Sequence, residues 1–543
     1  MNNLIRICNT NLSPVFGGIR QFRKKTNRSK FSKAEGFITV SVVLAPVVLT
    51  GYTDKNINST DKRPNLLIIH TDEQTFRSIS CYENSWPDIK TPNIDFLANN
   101  GVRCEKFYSN HPVSTPSRTA LLTGRYAQKS ESYINDIPLK SDAQTFANIL
   151  KQYKYVTGYS GKVHLAGGPY PGFKPKTNFG FEDNQYMFNN AHMKKIIIDE
   201  NGLLQSPGGI GDEKTYTTDF LTDRTIDFIE KNKNKSWCYM VSFPDPHDPN
   251  SERPPYDTMF KPADMKIPGT FHLQGGKKVL WKPDLKGKNT GNISDTQFLR
   301  NHKALYYGMV THIDDCVGRI FNYLNNNKLL GNTIIVYTTD HGEMMGEFSR
   351  FDKGIFFDAS AKIPFIMYFP REIKSNSVVR KVISNIDFTP TILDMMNIPY
   401  KKKYFDGRSA AALLTGKSSN SWKNIAFLSM TGQVAVITDR YKLILSRNEE
   451  PWLIDLVTDP GEFENAIERK ENRDTVRWLA LKLKNYLKNN ADPNWNDTLT
   501  GLYDHRIVEH KMYREPARQN ARRMEISWKN ELSNQLNSLL ENK

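Results

Sequence analysis

Apolar strands that alternate with amphipathic helices constrain the fold of this chain more than any other feature of its sequence. Runs rich in Leu, Ile, Val and aromatic residues predict strands at 66–71, 155–159, 237–243 and 333–339. Helical spacing of apolar residues predicts helices at 94–100, 143–153, 219–231 and 306–324. Buried strands separated by helices form a mainly parallel sheet with helices on its faces. The sequence therefore predicts an α/β fold.

The length of the chain predicts more than one domain. A chain of 543 residues is too long for a single simple core. Strands are predicted at 433–438 and 441–445, and a helix follows at 475–489. These elements predict a small α+β unit. We therefore expect a large domain at 53–415 and a C-terminal α+β subdomain with a basic tail at 416–543.

The first 52 residues have the pattern of an export signal. A basic stretch at 20–33 precedes an apolar run at 37–49, and polar residues follow. That order is typical of a secretory signal, and the apolar run is short for a membrane span. We expect an export segment at 1–52, no stable membrane span, and a periplasmic or secreted protein. A Val-rich N-terminal strand is the alternative.

Charge and cysteine content narrow the classes of partner. The net charge of +16 suits anionic ligands, and no recognised nucleic-acid motif accompanies it. We therefore expect no nucleic-acid partner.

The cysteines are scattered and odd in number, which argues against a disulfide framework or a structural zinc site. Buried thiols are expected, with one disulfide possible, among Cys8, Cys81, Cys104, Cys238 and Cys316.

Acidic residues follow two of the predicted strands. Asp72 and Glu73 come after the first strand, and Asp340 and His341 come after the strand at 333–339. In open α/β sheets, ligands bind at the carboxyl ends of the strands. Two acidic clusters at that edge suit a hard cation such as Ca²⁺ or Mg²⁺. Taken singly, each cluster is also typical of a helix cap.

A hydroxyl-rich cluster at 112–118 is followed at once by Thr-Ala-Leu-Leu-Thr-Gly-Arg at 119–125. A serine hydroxyl is a poor nucleophile without activation, and no His or Asp is adjacent to Ser114. In a helix, Arg118 would lie one turn after Ser114, close enough to hold an oxyanion. The alternative is a helix cap, with Pro116 in the first turn.

The pattern at 112–125 resembles the signature of the type I sulfatases, a family of the alkaline phosphatase superfamily. The resemblance implies that a serine-type formylglycine-generating maturation enzyme oxidises Ser114 to formylglycine, an aldehyde whose hydrate is the nucleophile. It also implies an alkaline-phosphatase-like fold, with a central, mainly parallel sheet flanked by helices and a smaller C-terminal α+β domain.

The acidic clusters extend the resemblance. Residues 63–74 and 340–346 are similar to the two metal-binding segments of the family. They imply one Ca²⁺ per chain, held by Asp72, Glu73, Asp340 and His341, with modified Ser114 completing the coordination. Two positions depart from the common pattern, because Glu73 replaces an Asp and His341 replaces an Asn.

Three further segments match family elements, at 158–165, 242–249 and 352–354. They imply that Lys162, His164, His247 and Lys353 act in catalysis together with Ser114 and Arg118. Lys162 and His164 are two residues apart, so on an extended backbone their side chains point the same way. The matched motifs run from 63 to 391 and recur weakly at 459–462.

The implied activity is hydrolysis of sulfate esters, with sulfated carbohydrates such as glycosaminoglycan fragments as substrates. In this mechanism His247 protonates the leaving alcohol with help from Lys353, and His164 deprotonates the sulfated intermediate. Lys162, Lys353 and Arg118 would neutralise charge in the transition state.

Two alternatives stay open at this point. One is a phosphodiesterase or phosphonate monoester hydrolase of the same superfamily. The other is a non-catalytic binder of sulfated sugars, which would follow if Ser114 were never oxidised. The irregular segments predicted at 163–215 and 250–300, together with the arginines after 504, are expected to form the walls of the pocket.

Overall fold

A computed structural model describes residues 63–168, 170–271, 296–417, 420–446, 450–490, 492 and 532–541. The predicted export segment and the arginines after 504 lie outside the described residues. Cys8 lies outside them as well.

Sixteen strands are present in the described residues. They are β1 Asn65–Thr71, β2 Val102–Cys104, β3 Phe107–Tyr108, β4 Val156–Lys162, β5 Asp183–Phe188, β6 Ile197–Ile198, β7 Leu204–Gln205, β8 Trp237–Ser242, β9 Thr333–Thr339, β10 Phe365–Tyr368, β11 Ser377–Val379, β12 Ile383–Ser384, β13 Ile425–Met430, β14 Gln433–Thr438, β15 Tyr441–Ser446 and β16 Trp452–Asp455.

The α-helices connect these strands and cover the sheets. They are α1 Pro92–Asn99, α2 Ser114–Thr123, α3 Phe146–Gln152, α4 Thr217–Asn232, α5 Thr296–Asn326, α6 Asp358–Ala361, α7 Phe388–Met395, α8 Ala411–Leu414 and α9 Arg473–Asn489. Residues 532–541 are also helical.

The central sheet has eight strands in the order β11-β2-β10-β9-β1-β8-β4-β5. The run from β9 to β5 is parallel throughout, whereas β10 is antiparallel to both of its neighbours. Alternate residues of β1 enter different cores, with Leu66 and Ile68 on one face and Leu67 and Ile69 on the other. Burial on both faces explains the continuous apolar run of this strand. The predicted α/β fold with a mainly parallel sheet is confirmed.

Element boundaries show where sequence patterns fall short. The segment 163–215 was expected to be irregular, and this is wrong for Asp183–Phe188, which forms the edge strand β5. An edge strand is paired on one side only, so its sequence carries a weaker apolar pattern. Helix α3 begins at Phe146 and not at the predicted residue 143. Thr145 caps this helix, because its side chain accepts a hydrogen bond from the Asn148 N–H. Part of the predicted segment 250–300, residues 272–295, lies outside the described residues.

The C-terminal part contains a four-stranded antiparallel sheet in the order β13-β14-β15-β16. The predicted strands at 433–438 and 441–445 and the predicted helix at 475–489 are confirmed as β14, β15 and α9. Leu479 and Leu483 of α9 pack in one core with Leu443 of β15. Leu536, from the helical residues 532–541, joins the same core.

A buried cation connects this sheet to α6. Lys442 on β15 is fully buried and donates to Asp358 at 2.6 Å and to Glu462 at 2.6 Å. Burial lowers the pKa of Lys442, but the two carboxylates raise it above its ordinary value, so the ammonium stays charged.

We expect Lys442→Met to lower the free energy of unfolding by about 3–5 kcal/mol, because two carboxylates would be left buried without their cation. Chemical denaturation at pH 7 measures the change. Lys470→Met is the matched control, since Lys470 is exposed and the loss of its charge should change stability by less than about 0.5 kcal/mol. Equal stability of the two variants would contradict this account of the buried triad.

None of the helices within the described ranges is both long enough and apolar enough to span a membrane. The four described cysteines, Cys81, Cys104, Cys238 and Cys316, are free thiols, and all but Cys81 are buried. The expectation of buried thiols is therefore confirmed for three of them.

Candidate active site

Strand pairing brings the two acidic clusters together. Thr71, the last residue of β1, is paired with Thr339, the last residue of β9. The residues that follow these neighbouring strands, Asp72 and Asp340, therefore leave the same edge of the sheet side by side. Both carboxylates are fully buried.

Asp72, Asp340 and His341 form a compact set of potential metal ligands. One ligand atom from each residue lies within 4.8 Å of the others. Asp72 Oδ1 is buried without a hydrogen-bond partner and lies 3.9 Å from His341 Nε2. A buried carboxylate oxygen with no donor is costly unless a cation satisfies it. Two carboxylates and an imidazole with such an unpaired oxygen fit a divalent cation.

Ser114 is the first residue of α2, and the whole of α2 is buried. Its Oγ lies 3.0 Å from His341 Nε2, within hydrogen-bond distance. The unpaired N–H groups of a helix N-terminus favour negative charge, so this end of α2 suits an anionic reaction centre. Helix α2 ends at Gly124, whose φ of 65° is the left-handed conformation that glycine adopts readily.

Arg118 lies one turn along α2 and links the site together. Its Nε donates to Asp340 at 2.8 Å, and Nη2 lies 3.4 Å from Asp72 Oδ2. Its Nη1 donates to the Lys162 carbonyl at 2.7 Å and to Ser242 Oγ at 2.9 Å. Burial alone would lower the pKa of Arg118, but the two carboxylates raise it, so the guanidinium is permanently charged.

Lys162, at the end of β4, pairs with Asp72 inside the site. Burial would raise the pKa of Asp72, but Lys162 and Arg118 hold it well below its ordinary value. Burial and Asp72 would raise the pKa of Asp340, but His341 and Arg118 bring it to about 2. Both carboxylates are therefore ionised at neutral pH and available to a cation.

Glu73, His247 and Lys353 form a second group beside the first. Lys353 Nζ donates to Glu73 Oε2 at 2.6 Å and lies 2.6 Å from His247 Nε2. The Glu73 carboxylate is also 2.8 Å from His247 Nε2. Burial lowers the pKa of Lys353, but Glu73 and Asp352 hold it well above its ordinary value. The predicted ligand Glu73 thus directs its carboxylate at His247 and Lys353, whereas Asp72 and Asp340 lie with His341.

His164 has one paired and one unpaired ring nitrogen. Its Nε2 lies 3.0 Å from Asp136 Oδ1, whereas Nδ1 is buried with no hydrogen-bond partner. Thr115, the residue after Ser114, donates to the His164 carbonyl at 2.8 Å and fixes this loop against α2. Burial lowers the pKa of His164 to about 4, so the ring is neutral at pH 7 and can accept a proton.

Two residues of the site were missed by sequence reasoning. His192 lies 2.7 Å from Lys162 Nζ and stacks on the His247 ring at 3.6 Å between centroids. Asp136 orients His164. His192 follows β5 at the same sheet edge, and recognition of that strand would have marked it as a candidate. Asp136 lies in a loop and carries no such signal.

Two family models match the sequence of this chain. The sequence model of the Sulfatase family matches residues 64–398, well over half of the chain. A second model, described as the C-terminal part of N-sulphoglucosamine sulphohydrolase, matches residues 346–489.

Individual relatives give the same result. An N-acetylglucosamine-6-O-sulfatase of Bacteroides thetaiotaomicron is 28% identical over 529 residues, covering 83% of this chain and 91% of that protein. An arylsulfatase of Clostridium perfringens is 27% identical, covering 77% and 93%.

Solved structures match the fold over most of the chain. A structure in complex with its substrate D-glucosamine-2-N,6-O-disulfate has a TM-score of 0.67 at 25% identity, covering 79% of this chain and 98% of that one. The phosphonate monoester hydrolase of Agrobacterium radiobacter shares the fold, with a TM-score of 0.64 at 23% identity and coverage of 79% and 96%. The chain therefore belongs to the sulfatase family of sulfuric ester hydrolases.

Proposed function

We propose that this protein hydrolyses sulfate esters of carbohydrates, with formylglycine at position 114 as nucleophile and one divalent cation in the site. The observation that carries the proposal is the placement of Ser114. Its hydroxyl lies at the buried N-terminus of α2, 3.0 Å from His341, and Arg118 reaches both Asp72 and Asp340 one turn away. An anionic ester that binds at the oxidised residue would therefore lie beside cationic side chains.

Asp72, Asp340 and His341 would hold the cation, with the oxygen of modified residue 114 beside them. Glu73 stays the predicted fourth ligand. The largely oxygen-based donor set supports Ca²⁺. When bound, the cation would polarise the sulfate oxygens. The substrate sulfate would also be neutralised by Arg118 and Lys162, both of which pair with Asp72 inside the site.

In the first half of the reaction, a hydroxyl of the hydrated aldehyde attacks sulfur, and the bond from sulfur to the sugar oxygen breaks. His247 protonates the departing alcohol. Lys353, 2.6 Å from His247 Nε2, supplies positive charge beside this transfer.

In the second half, His164 removes the proton from the remaining hydroxyl of the sulfated residue. The carbonyl forms again, the carbon–oxygen bond to sulfate breaks, and sulfate leaves. Asp136 Oδ1 accepts a hydrogen bond from His164 Nε2–H at 3.0 Å, which leaves Nδ1 as the basic atom. Water then hydrates the aldehyde for the next cycle.

The relatives suggest which sugar to test first. One similar protein is named as an N-acetylglucosamine-6-O-sulfatase, and one similar structure holds a glucosamine disulfate as its substrate. We propose a 6-O-sulfated glucosamine unit as substrate. The proposed substrate and the predicted export segment 1–52 together support a periplasmic or secreted location.

The test compares sulfate release from 6-O-sulfated N-acetylglucosamine with hydrolysis of the matching phosphate ester and a phosphonate monoester. Mass analysis of the peptide that contains Ser114 is run on the same sample, where oxidation to formylglycine removes two hydrogens. We expect sulfate release to dominate in oxidised protein. Faster hydrolysis of the phosphate or phosphonate ester would overturn the sulfatase proposal in favour of the phosphoryl-transfer alternative.

The two histidines are expected to differ in their dependence on the leaving group. His247→Ala should slow poor leaving groups on the order of 10²-fold or more, while activated aryl sulfates, which need little protonation, should be much less affected. His164→Ala should slow turnover for every leaving group and let the sulfated enzyme accumulate, visible as added sulfate mass on the peptide containing Ser114.

The control for both is His302→Ala, because His302 is on α5, packs against Phe298 and Phe351, and makes no hydrogen bond or ring contact with His164 or His247 among the described residues. Equal losses for both histidine variants across a series of leaving groups, with no trapped sulfate in either, would show that the two roles are wrongly assigned.

A further inference from the structure

A second cavity lies in the C-terminal part of the chain, between the antiparallel sheet and α9. Its volume is about 1050 Å³. Tyr126, which follows the C-terminal end of α2, lines it, whereas Ser114 begins α2. A helix of ten residues is roughly 15 Å long, so the cavity lies at the far end of this helix from the nucleophile. It is therefore separate from the catalytic site.

Aromatic rings and amides dominate the lining of this cavity. The rings are Tyr126, Phe427, Tyr441, Trp478 and Tyr486. Trp478 is 46% exposed, an unusual position for a large ring on a helix surface. Asparagines just before β13 and on α9 add hydrogen-bonding groups beside the rings. Flat apolar rings next to amides match the two sides of a sugar, which has apolar C–H faces and hydroxyl edges.

Cations surround these rings. Lys423, Arg440 and Lys482 line the cavity. Arg440 is paired with Asp455 at 2.8 Å, and Lys482 Nζ lies 5.6 Å from the centre of the Trp478 ring. Within the described ranges, neither Lys423 nor Lys482 pairs with a carboxylate. Of the acidic residues in the lining, Asp406 is already paired with Lys129 at 2.6 Å. The cavity therefore favours an anionic ligand.

A smaller cavity of about 450 Å³ continues this lining and shares Asn424, Asp439 and Arg440 with it. Lys106, Arg380 and Lys381 contribute the other cations of this cavity, of which Arg380 is paired with Glu83, and Asp439 is its one acidic lining residue. The two cavities are thus continuous and form a track lined by basic residues. This track is longer than a single sugar ring.

We propose that this track is a second, non-catalytic binding site for a segment of sulfated oligosaccharide. The ligand class rests on the proposed function, while the site itself rests on the aromatic, amide and cationic lining. Sugar rings would stack on Trp478, and sulfate groups would lie against Lys482, Lys423 and the track. Such a site holds a polymeric substrate near the enzyme while its end reaches Ser114, which raises the effective concentration of chain ends.

The binding test uses a sulfated hexasaccharide prepared from heparin and the full chain carrying Ser114→Ala, so that nothing is turned over. Isothermal titration should give two hexasaccharides per chain. Adding Trp478→Ala or Lys482→Glu should leave one tight site and weaken the other at least about tenfold, the loss expected for an aromatic or ionic anchor.

Lys488→Glu is the matched control, because Lys488 is an exposed lysine on the same helix that does not line the cavity. It makes the same charge change and should retain two sites. Loss of the second site in the Lys488 variant as well, or displacement of the hexasaccharide by an oligonucleotide of equal charge at equal concentration, would overturn the proposal, since either shows general attraction of anions.

A kinetic readout separates this site from the proposed reaction. With Ser114 intact and oxidised, Trp478→Ala should raise the KM for the sulfated polymer about tenfold and leave kcat for a sulfated monosaccharide unchanged. Suppose that sulfate is released, but that one hexasaccharide binds per chain both with Trp478 present and in Trp478→Ala. That result would overturn the second site and leave the proposed function standing. The opposite result is that two hexasaccharides bind, that Trp478→Ala loses one of them, and that no sulfate is released. That result would support the second site and overturn the proposed function.

Discussion

Ser114→Ala is expected to reduce sulfate release on the order of 10⁴-fold or more, because no hydroxyl or aldehyde would remain to attack sulfur. The fold should survive. The substitution removes one hydroxyl and its contact with His341 Nε2 at 3.0 Å, and the loss of a single hydrogen bond changes stability by about 1 kcal/mol. Turnover on the sulfated sugar and a denaturation curve on the same sample measure the two quantities separately.

Thr123→Val is the matched control at the other end of α2. Its hydroxyl donates to the Thr119 carbonyl at 2.6 Å and accepts from the Arg125 N–H at 3.3 Å, and both contacts are local to this end of α2, so turnover should be unchanged. Ser114→Cys should restore activity in a host that oxidises cysteine at this position. Full turnover by Ser114→Ala on the sulfated sugar would end the formylglycine proposal.

Removal of the cation is expected to have the second largest effect. The active protein should contain one divalent cation per chain, with Ca²⁺ the expected ion. Chelation should stop turnover and lower the melting temperature, because a ligand that binds only the folded state stabilises it by about 2.7 kcal/mol at a hundred times its Kd. Asp340→Asn should weaken cation binding at least about tenfold and lower turnover on the order of 10²–10³-fold.

Asp314→Asn controls for the loss of a buried carboxyl. At the start of α1, Asp314 Oδ1 accepts the Ile94 N–H at 2.8 Å, and Oδ2 accepts the Asn93 N–H at 3.1 Å and the Asn93 side-chain amide at 2.9 Å. The amide introduced by Asp314→Asn would lose part of this set and some stability, but it would change no group of the proposed site. This variant should keep its cation and its activity. Elemental analysis that finds no metal in active protein, or two ions per chain, would contradict the proposed site.

The residues that end strands could be predicted because strand pattern and site pattern coincide. The apolar runs of β1 and β9 mark buried parallel strands, and parallel strands deliver their following residues to one edge. Asp72 and Asp340 could therefore be placed together before any coordinates were known. The roles predicted for Ser114, Lys162 and the two histidines came from motifs that resemble one family. The fold then brings these motifs together at that edge.

Other parts of the site depend on contacts between residues far apart in the chain. His192 is 30 residues from Lys162 and reaches it because β4 and β5 pair. Its strand was missed, since an edge strand has a weak apolar pattern. The direction of the Glu73 carboxylate was also undetermined, because a side chain next to a ligand can face either the cation or Lys353.

The sequence by itself determined the fold class, the candidate residues and the edge of the sheet at which they lie, because hydrophobic periodicity and short motifs are local properties. Only the tertiary structure decided which candidates touch. It paired His164 with Asp136, turned Glu73 toward Lys353, and left Asp72 Oδ1 without a donor. It also created the aromatic cavity, whose lining from α9, the C-terminal sheet and Tyr126 shares no sequence motif. Such contacts form between segments that are distant in the chain, so no local pattern encodes them.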